Sequence, residues 1–457
     1  MDYIKFGTDG IRGVAGELLD AELAFKIGCA AATVLRSSQQ AGKIGKVIRP
    51  KVMIAKDTRI SGDMLESALA SGLCSAGADV ALLGVLPTPA VAFLTIKSDA
   101  DMGVMISASH NSFEDNGIKF FGSDGYKLCD ELESRIEDII NSGSGIAKMT
   151  HGNVGRITLD HQFRTDEYVR HLASSFRGQF CGRIAIDCAN GAASETARLL
   201  FRKIGAEFEM FHDEPNGVNI NVDCGSTHLE FLQDMMKTKR FDIGFAFDGD
   251  ADRCLVVDEL GQVVNGDMML AVFARDMKAS SCLVNDAFVG TVISNSGMDI
   301  FSRDNNLTFH RAAVGDRNVL QMMRDTGSNL GGESSGHILF SDDTTSGDGQ
   351  FVAVMFLNAL INSGKTVSEL VHDIPSFPQV MPSFRLTGGA EEREMIMSHP
   401  KLHDLIARIG KELHGKGRVL IRPSGTEPII RVMVEAKTEK LATKKANELL
   451  ALMKSLS

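Results

Sequence analysis

The segment FDIGFAFDGDADR (241–253) places Asp248, Asp250 and Asp252 at alternate positions behind an apolar run. In extended backbone, residues i, i+2 and i+4 project to one side, so three carboxylates there converge on one hard cation. Without a cation their mutual repulsion is costly. Mg2+ suits three carboxylates completed by a phosphate oxygen and water. An EF-hand competes, because Glu259 falls at the twelfth loop position. It fails at the sixth, where Arg253 replaces the required glycine, and the preceding segment reads as strand rather than helix. A solvated acidic turn is the plain alternative.

A second group lies in MGVMISASHNSFEDNGIKFF (102–121), where a strand runs into a loop holding Ser109 and His110, and Lys119 follows on a second strand-like run. Adjacent Ser and His do not make a nucleophile–base pair, so this is not a hydrolase triad. A serine just past a strand end can instead carry a phosphoryl group beside a metal. Lys119, with a pKa lowered by cationic neighbours, would serve as a general base. RPSGTEPIIR (422–431) gathers Arg422, Ser424, Gly425 and Thr426 in one turn, with Arg431 on the next strand. Gly permits close backbone approach, hydroxyls donate, and Arg grips phosphate bidentately; a Pro/Gly hairpin connection reads equally well locally. GTDGIRG (7–13) sets Arg12 between glycines. GGESSGHI (331–338) offers Glu333 and Ser335 to hydroxyl groups, with His337 nearby, and none of these loops has P-loop spacing.

The elements that must position these loops repeat. VMIAKDTR (52–59), RIAIDCANG (183–191) and AFVGTVISNSG (287–297) are each an apolar strand, followed by a helix and a second strand. That is a βαβ pattern, which predicts parallel pairing with helical crossovers. Polar 141–155 and the three prolines of 373–384 read as linkers. Beyond them come a helical stretch near 391–413, two strands around a Pro/Gly turn and a final amphipathic helix, a small α+β arrangement. The expected architecture is three related α/β domains with mixed sheets (1–150, 151–257 and 258–372) plus a C-terminal α+β domain (373–457).

The 457 residues carry 48 Lys and Arg against 59 Asp and Glu, a net charge of −11, and 44% apolar residues. The apolar share excludes a largely disordered chain, and the charge sets duplex nucleic acid behind as a partner. A phosphorylated ligand then needs a locally positive site. Eight cysteines without a CxxC pair fit a reducing compartment. The N-terminus lacks a secretory signal, and the longest uncharged run, Val80 to Ile96, falls short of a membrane span of about 20 residues. The expectation is a cytoplasmic protein with no membrane partner.

Taken in order, GTDGIRG, SASHN, DGDADR, GGESSGH and RPSGTEP resemble the α-D-phosphohexomutase superfamily over essentially the whole chain. GTDGIRG and AVGDR (313–317) are most similar to its amino-sugar branch. The resemblance implies four domains around a central cleft and a phosphoserine at Ser109, the serine directly before His110. It implies one Mg2+ per subunit on that phosphoserine and Asp248, Asp250 and Asp252. Arg12, His110, Lys119 and His337 would serve the chemistry, and Arg253 would face the transferring group. Glu333, Ser335 and the Gly315 loop would read the sugar. Arg422, Ser424, Gly425, Thr426 and Arg431 would grip the phosphate not being transferred.

The implied reaction interconverts glucosamine 6-phosphate and glucosamine 1-phosphate through a bisphosphorylated sugar, with a sugar bisphosphate as primer. Phosphomannomutase or phosphoglucomutase activity and a Mg2+-dependent sugar phosphatase are the alternatives, and a homodimer is compatible with the sequence. Two positions depart from the family pattern: Ser112 stands where proline is usual, and Ser334 where glutamine is usual. Loss of proline would loosen the catalytic loop.

Overall fold

A computed structural model of the chain describes residues 3–7, 9–40, 49–413, 415, 417–423 and 428–457. Two compact units emerge: Met1–Leu283 with Asn329–His372, and Val284–Ser328 with Asp373–Ser457.

The first unit holds a six-stranded mixed sheet and a five-stranded mixed sheet. In the six-stranded sheet, Lys51–Lys56 lies between Asp79–Val85 and Met102–Ile106, parallel to both. The hairpin partner Asp115–Gly122 runs antiparallel to Met102–Ile106, and Ile11–Val14 pairs antiparallel at the edge beyond it. KVMIAK buries four successive residues, and MGVMI buries all five, so both faces are covered and no alternation is visible. In the five-stranded sheet, Arg183–Asp187 is parallel to Glu207–Phe211 and to Ile243–Phe247, and Cys254–Asp258 turns back antiparallel. The unit also contains the antiparallel pair Leu330–Gly332 and Ile338–Phe340. Helix Gly349–Ser363 is buried along most of its length and begins on Asp348, whose side chain accepts from the amides of Gln350 and Phe351.

In the second unit, Ala287–Thr291 pairs parallel with Thr308–Ala312. All three predicted βαβ segments therefore have parallel strands. The C-terminal sheet is antiparallel around Ile429–Ala436. Leu402, Ile409, Val432, Val434, Leu449 and Met453 from its helices and central strand form one core. Buried Glu435 accepts from Arg418 Nε at 2.9 Å, Gln379 Nε2 at 3.1 Å and the Ser296 hydroxyl, tying the 284–328 segment to this sheet.

Neither expected linker is a free connector. Within 141–155, the amides of Met149 and Gly155 bond to Ser75 and Cys74 carbonyls, and the chain continues into Ile157–Leu159, parallel to Asp79–Val85. The 373–384 stretch supplies the short strand Gln379–Val380, and Ser383–Arg385 begins within it; both pair with Ile429–Ala436. Proline at strand edges and between short strands is compatible with such pairing, so its density misled the composition reading. Among the described residues no helix is long and apolar enough to cross a membrane. All eight cysteines are free, five of them buried.

Candidate active site

Strand Met102–Ile106 delivers the 107–114 loop to the carboxyl edge of the parallel strands, where open α/β sheets bind ligands. Ser109 is buried in left-handed backbone with φ of 53°. Its amide donates to Ser107 Oγ at 2.9 Å, and Ser107 donates to Asp57 Oδ2 at 2.6 Å. Beneath the loop, fully buried Arg59 pairs with Asp57 at 2.8 Å. Its Nη groups donate to the carbonyls of Ser109 (3.0 Å), Asn111 (2.9 Å) and Asp115 (2.9 Å), and to that of Ser112. Asn221 Nδ2 donates to the Ser109 and Asn111 carbonyls, both at 2.9 Å. The loop is thus clamped through its main chain, and Ser112 does not leave it loose.

One of the three aspartates, Asp248, meets Ser109 directly. The carboxylate oxygens of the three come within 4.8 Å of one another, and all three residues are buried. Segment 248–252 is a turn closed by the Ala251 amide on the Asp248 carbonyl at 3.0 Å, with Ala251 at φ of 56°. Convergence therefore comes from turn curvature, not from the extended backbone that the alternate spacing suggested. At Gly249 an added Cβ would lie 2.6 Å from the Ser109 carbonyl, so this close approach requires glycine.

Ser109 Oγ donates to Asp248 Oδ2 at 2.7 Å, and the Arg253 amide donates to Asp248 Oδ1 at 3.2 Å. Asp250 Oδ2 accepts from Lys119 Nζ at 2.7 Å and Thr88 Oγ1 at 2.6 Å. Asp250 Oδ1 and Asp252 Oδ1 are buried without a hydrogen-bond donor among the described residues. Two orphaned carboxylate oxygens beside a third carboxylate are the donor set of a hard divalent cation, so Mg2+ fits these residues. Burial, then Asp252 and Asp250, raises the pKa of Asp248 well above the ordinary range. Burial also opposes charge on Asp252, but His337, Lys119 and Arg253 outweigh it and hold that carboxyl low.

Positive charge surrounds the turn. Arg253 Nε lies 3.7 Å from Asp252 and 4.0 Å from Asp248, and Glu333 adds to the negative field at Arg253. Arg12 sits on the edge strand opposite Gly117 and pairs with Asp9, which also pairs with Lys127 and approaches Lys119 at 3.7 Å. His337 Nδ1 is 3.5 Å from Asp252 Oδ2, and an added Cβ at Gly347 would lie 2.5 Å from its ring. His110 is exposed but flanked by protein. That partial desolvation, with Arg253 and Arg12, lowers its pKa to about 4.

The expected lowering of the Lys119 pKa is corrected. Burial acts in that direction, but the neighbours that dominate are the carboxylates of Asp250, Asp9 and Asp252, which raise it. Lys119 is held as a cation. A group so held does not take up a proton at neutral pH, so the general-base expectation falls with it.

The first unit therefore brings together Ser109, His110, Lys119, Arg12, the three aspartates, Arg253 and His337. Half-buried Glu333 and Ser335 stand on the turn between Leu330–Gly332 and Ile338–Phe340. In the second unit, Gly315 has φ of 116° and begins helix Asp316–Thr326. Arg422 and Arg431 face one another as register partners on antiparallel strands. Ser424, Gly425 and Thr426 lie outside the described residues. Sequence reasoning missed Arg59, Asp57, Thr88 and Asn221. The available signal was DTR at the carboxyl end of a parallel strand, a place where polar side chains gather around ligands.

The chain is similar to known proteins along nearly its whole length. Models described as phosphoglucomutase/phosphomannomutase alpha/beta/alpha domains I, II and III match residues 3–146, 166–261 and 265–377, and the C-terminal domain matches 385–452. A protein of Ruminiclostridium cellulolyticum named phosphoglucosamine mutase is 46% identical over 446 residues, 97% of each chain. One of the same name from Shouchella clausii is 44% identical over 450 residues, 98% of each chain. A crystal structure of a phosphoglucomutase/phosphomannomutase family protein from Burkholderia thailandensis superposes with a TM-score of 0.81 at 26% identity, covering 99% of this chain and 97% of that one. The chain belongs to the phosphoglucosamine mutase family within the α-D-phosphohexomutase superfamily.

Proposed function

We propose that this protein interconverts glucosamine 6-phosphate and glucosamine 1-phosphate, with Ser109 carrying the phosphoryl group between two sugar hydroxyls. The observation that carries this reading is the Ser109 hydroxyl lying 2.7 Å from Asp248 in the three-aspartate turn. A serine there can hold phosphate beside a cation without a base of its own. Asp248, Asp250 and Asp252, with a phosphoserine oxygen, would hold Mg2+, which when bound withdraws charge from the transferring phosphoryl group.

The Ser109 Oγ–P bond breaks as a sugar hydroxyl oxygen bonds to phosphorus, giving the bisphosphorylated sugar. His110, neutral at pH 7, would take the hydroxyl proton and release it to solvent, from which Ser109 Oγ is reprotonated. Arg253, Arg12 and cationic Lys119 offset charge on the phosphoryl oxygens, and His337 holds Asp252 in place. The second transfer reverses the first with the other phosphate. Glu333, Ser335 and the Gly315 loop read the sugar, while Arg422, Ser424, Gly425, Thr426 and Arg431 take the phosphate not being transferred. The four segments 1–150, 151–257, 258–372 and 373–457 each supply one of these loops. Eight free cysteines suit a reducing cytoplasmic setting.

An ammonium at C2 is attracted to a nearby carboxylate more strongly than a hydroxyl is. One charge-assisted contact is worth about 1.5–3 kcal/mol, so glucosamine 6-phosphate should exceed glucose 6-phosphate in kcat/KM by about 10- to 100-fold. The test is kcat/KM for glucosamine, glucose and mannose phosphates with a bisphosphate primer. Equal or better turnover of glucose or mannose phosphate moves the assignment to phosphoglucomutase or phosphomannomutase. Release of free phosphate without isomerisation makes the protein a phosphatase. EDTA should stop turnover and Mg2+ restore it, and full activity in thorough chelator removes the cation from the reading.

A further inference from the structure

A second group of metal-ligand types lies apart from the aspartate turn and has no part in the reaction above. Asp187 ends strand Arg183–Asp187, His212 follows the neighbouring parallel strand Glu207–Phe211 by one residue, and Cys224 lies in the turn before Gly225–Thr227. One ligand atom from each falls within 4.8 Å of the other two. Asp187 and Cys224 are wholly buried. His212 is partly exposed, and its Nδ1 lies 3.0 Å from Asp187 Oδ2. Asp187 Oδ1 is occupied by the Ala189 amide at 2.9 Å, which leaves Oδ2 to the histidine.

The backbone around this group is held in an uncommon conformation. Ala189, Asn190, His212, Asn221 and Asp223 all have φ between 46° and 60°. Alanine has no polar side chain to favour that region, so tertiary contacts impose it, as they do at sites that shape a ligand cage. Open α/β sheets bind ligands outside the carboxyl ends of their strands, and three segments converge there on this group.

We propose that Asp187, His212 and Cys224 form a second metal site that takes Zn2+ or a cation of similar softness. It offers one oxygen, one nitrogen and one sulfur ligand, and a fourth position open to water on the His212 side. The donor set differs from the all-oxygen aspartate turn, so the two sites select different cations. Binding releases the Cys224 thiol proton to solvent. The site also bears on the catalytic loop: Asn221, three residues before Cys224, donates to the Ser109 and Asn111 carbonyls. A cation on Cys224 fixes the turn from which that contact is made.

The test uses the full-length chain without a polyhistidine tag, stripped with EDTA and then saturated with Mg2+. Co2+ is titrated as a spectroscopic stand-in, followed by Zn2+. One further equivalent should bind, with a thiolate-to-Co2+ charge-transfer band in the near ultraviolet that Zn2+ abolishes. Cys224→Ser should lose the band. His212→Ala, at a partly exposed position whose fold is checked by circular dichroism, should weaken Zn2+ binding by more than about 100-fold. Loss of an outer-shell partner alone costs about 10- to 100-fold. Absence of the band in the unmodified protein overturns the proposal. So does an unchanged band in Cys224→Ser, which would assign it to another cysteine. Undiminished Zn2+ affinity in His212→Ala also overturns it, and leaves Asp187 and His212 as an ion pair that closes a loop.

Discussion

The turn at 248–253 and the strands carrying Arg422 and Arg431 both bring charge to the proposed phosphate chemistry, and they are built in opposite ways. In the turn, each carboxylate is buried, and Lys119, Thr88, Ser109 and the Arg253 amide fix individual oxygens at 2.6–3.2 Å. On the strands, Arg422 is half-buried and Arg431 exposed, with like charges directly opposite one another. An anion bound between two such side chains would draw on both. The contrast suits the roles proposed for the two regions. Transferring a phosphoryl group needs fixed distances in a site where water does not weaken the field. Gripping a phosphate that alternates between two sugar positions needs charge that tolerates more than one pose.

Removing the reacting atom should have the largest effect. Ser109→Ala should lower turnover by more than about 10^4-fold while leaving the denaturation midpoint nearly unchanged, because the loop is clamped through its carbonyls. Loss of a phosphate adduct in intact mass would accompany it. Full activity would end the phosphoserine reading. Next comes Arg59→Ala, which strands a buried Asp57 carboxylate and several carbonyls. It should cost about 3–5 kcal/mol in urea unfolding. Arg431→Ala should raise KM by about 10- to 100-fold with a smaller change in kcat, the loss of one exposed charge-assisted contact. An equal loss confined to kcat would place Arg431 among the groups that fix the reacting phosphate and erase the contrast. Smallest of all, Arg170→Ala removes an exposed pair with Asp166 and should shift stability by less than about 0.5 kcal/mol. If Arg59→Ala costs no more than Arg170→Ala, burial does not set the cost of losing a paired arginine.

How much of this was legible in the sequence depended on how far apart the partners lie. The aspartates stand within five residues of one another, so their convergence could be read locally even though the backbone proved to be a turn. The three βαβ segments were legible because each strand is continuously apolar and each helix is short. The Lys119 environment was not, because its partner Asp250 is 131 residues away and Asp9 lies on the other side in sequence. The same distance hid Arg59, whose acceptors are carbonyls about 50 residues downstream and carry no residue signature. Prolines near 375–382 suggested a connector because the pairing of such short strands is set by Ile429–Ala436, not by their own composition.

The Arg59 clamp also bears on how the catalytic loop can drift in evolution. Every loop atom that it and Asn221 hold is a carbonyl oxygen, an atom all twenty residue types share. Side chains at positions such as 112 are therefore free to change without cutting a single one of these bonds, and serine in place of the usual proline is one such change. Length is not free in the same way. One residue inserted or deleted between 109 and 115 would put every later carbonyl out of step with the guanidinium. The loop should accumulate substitutions readily and reject indels.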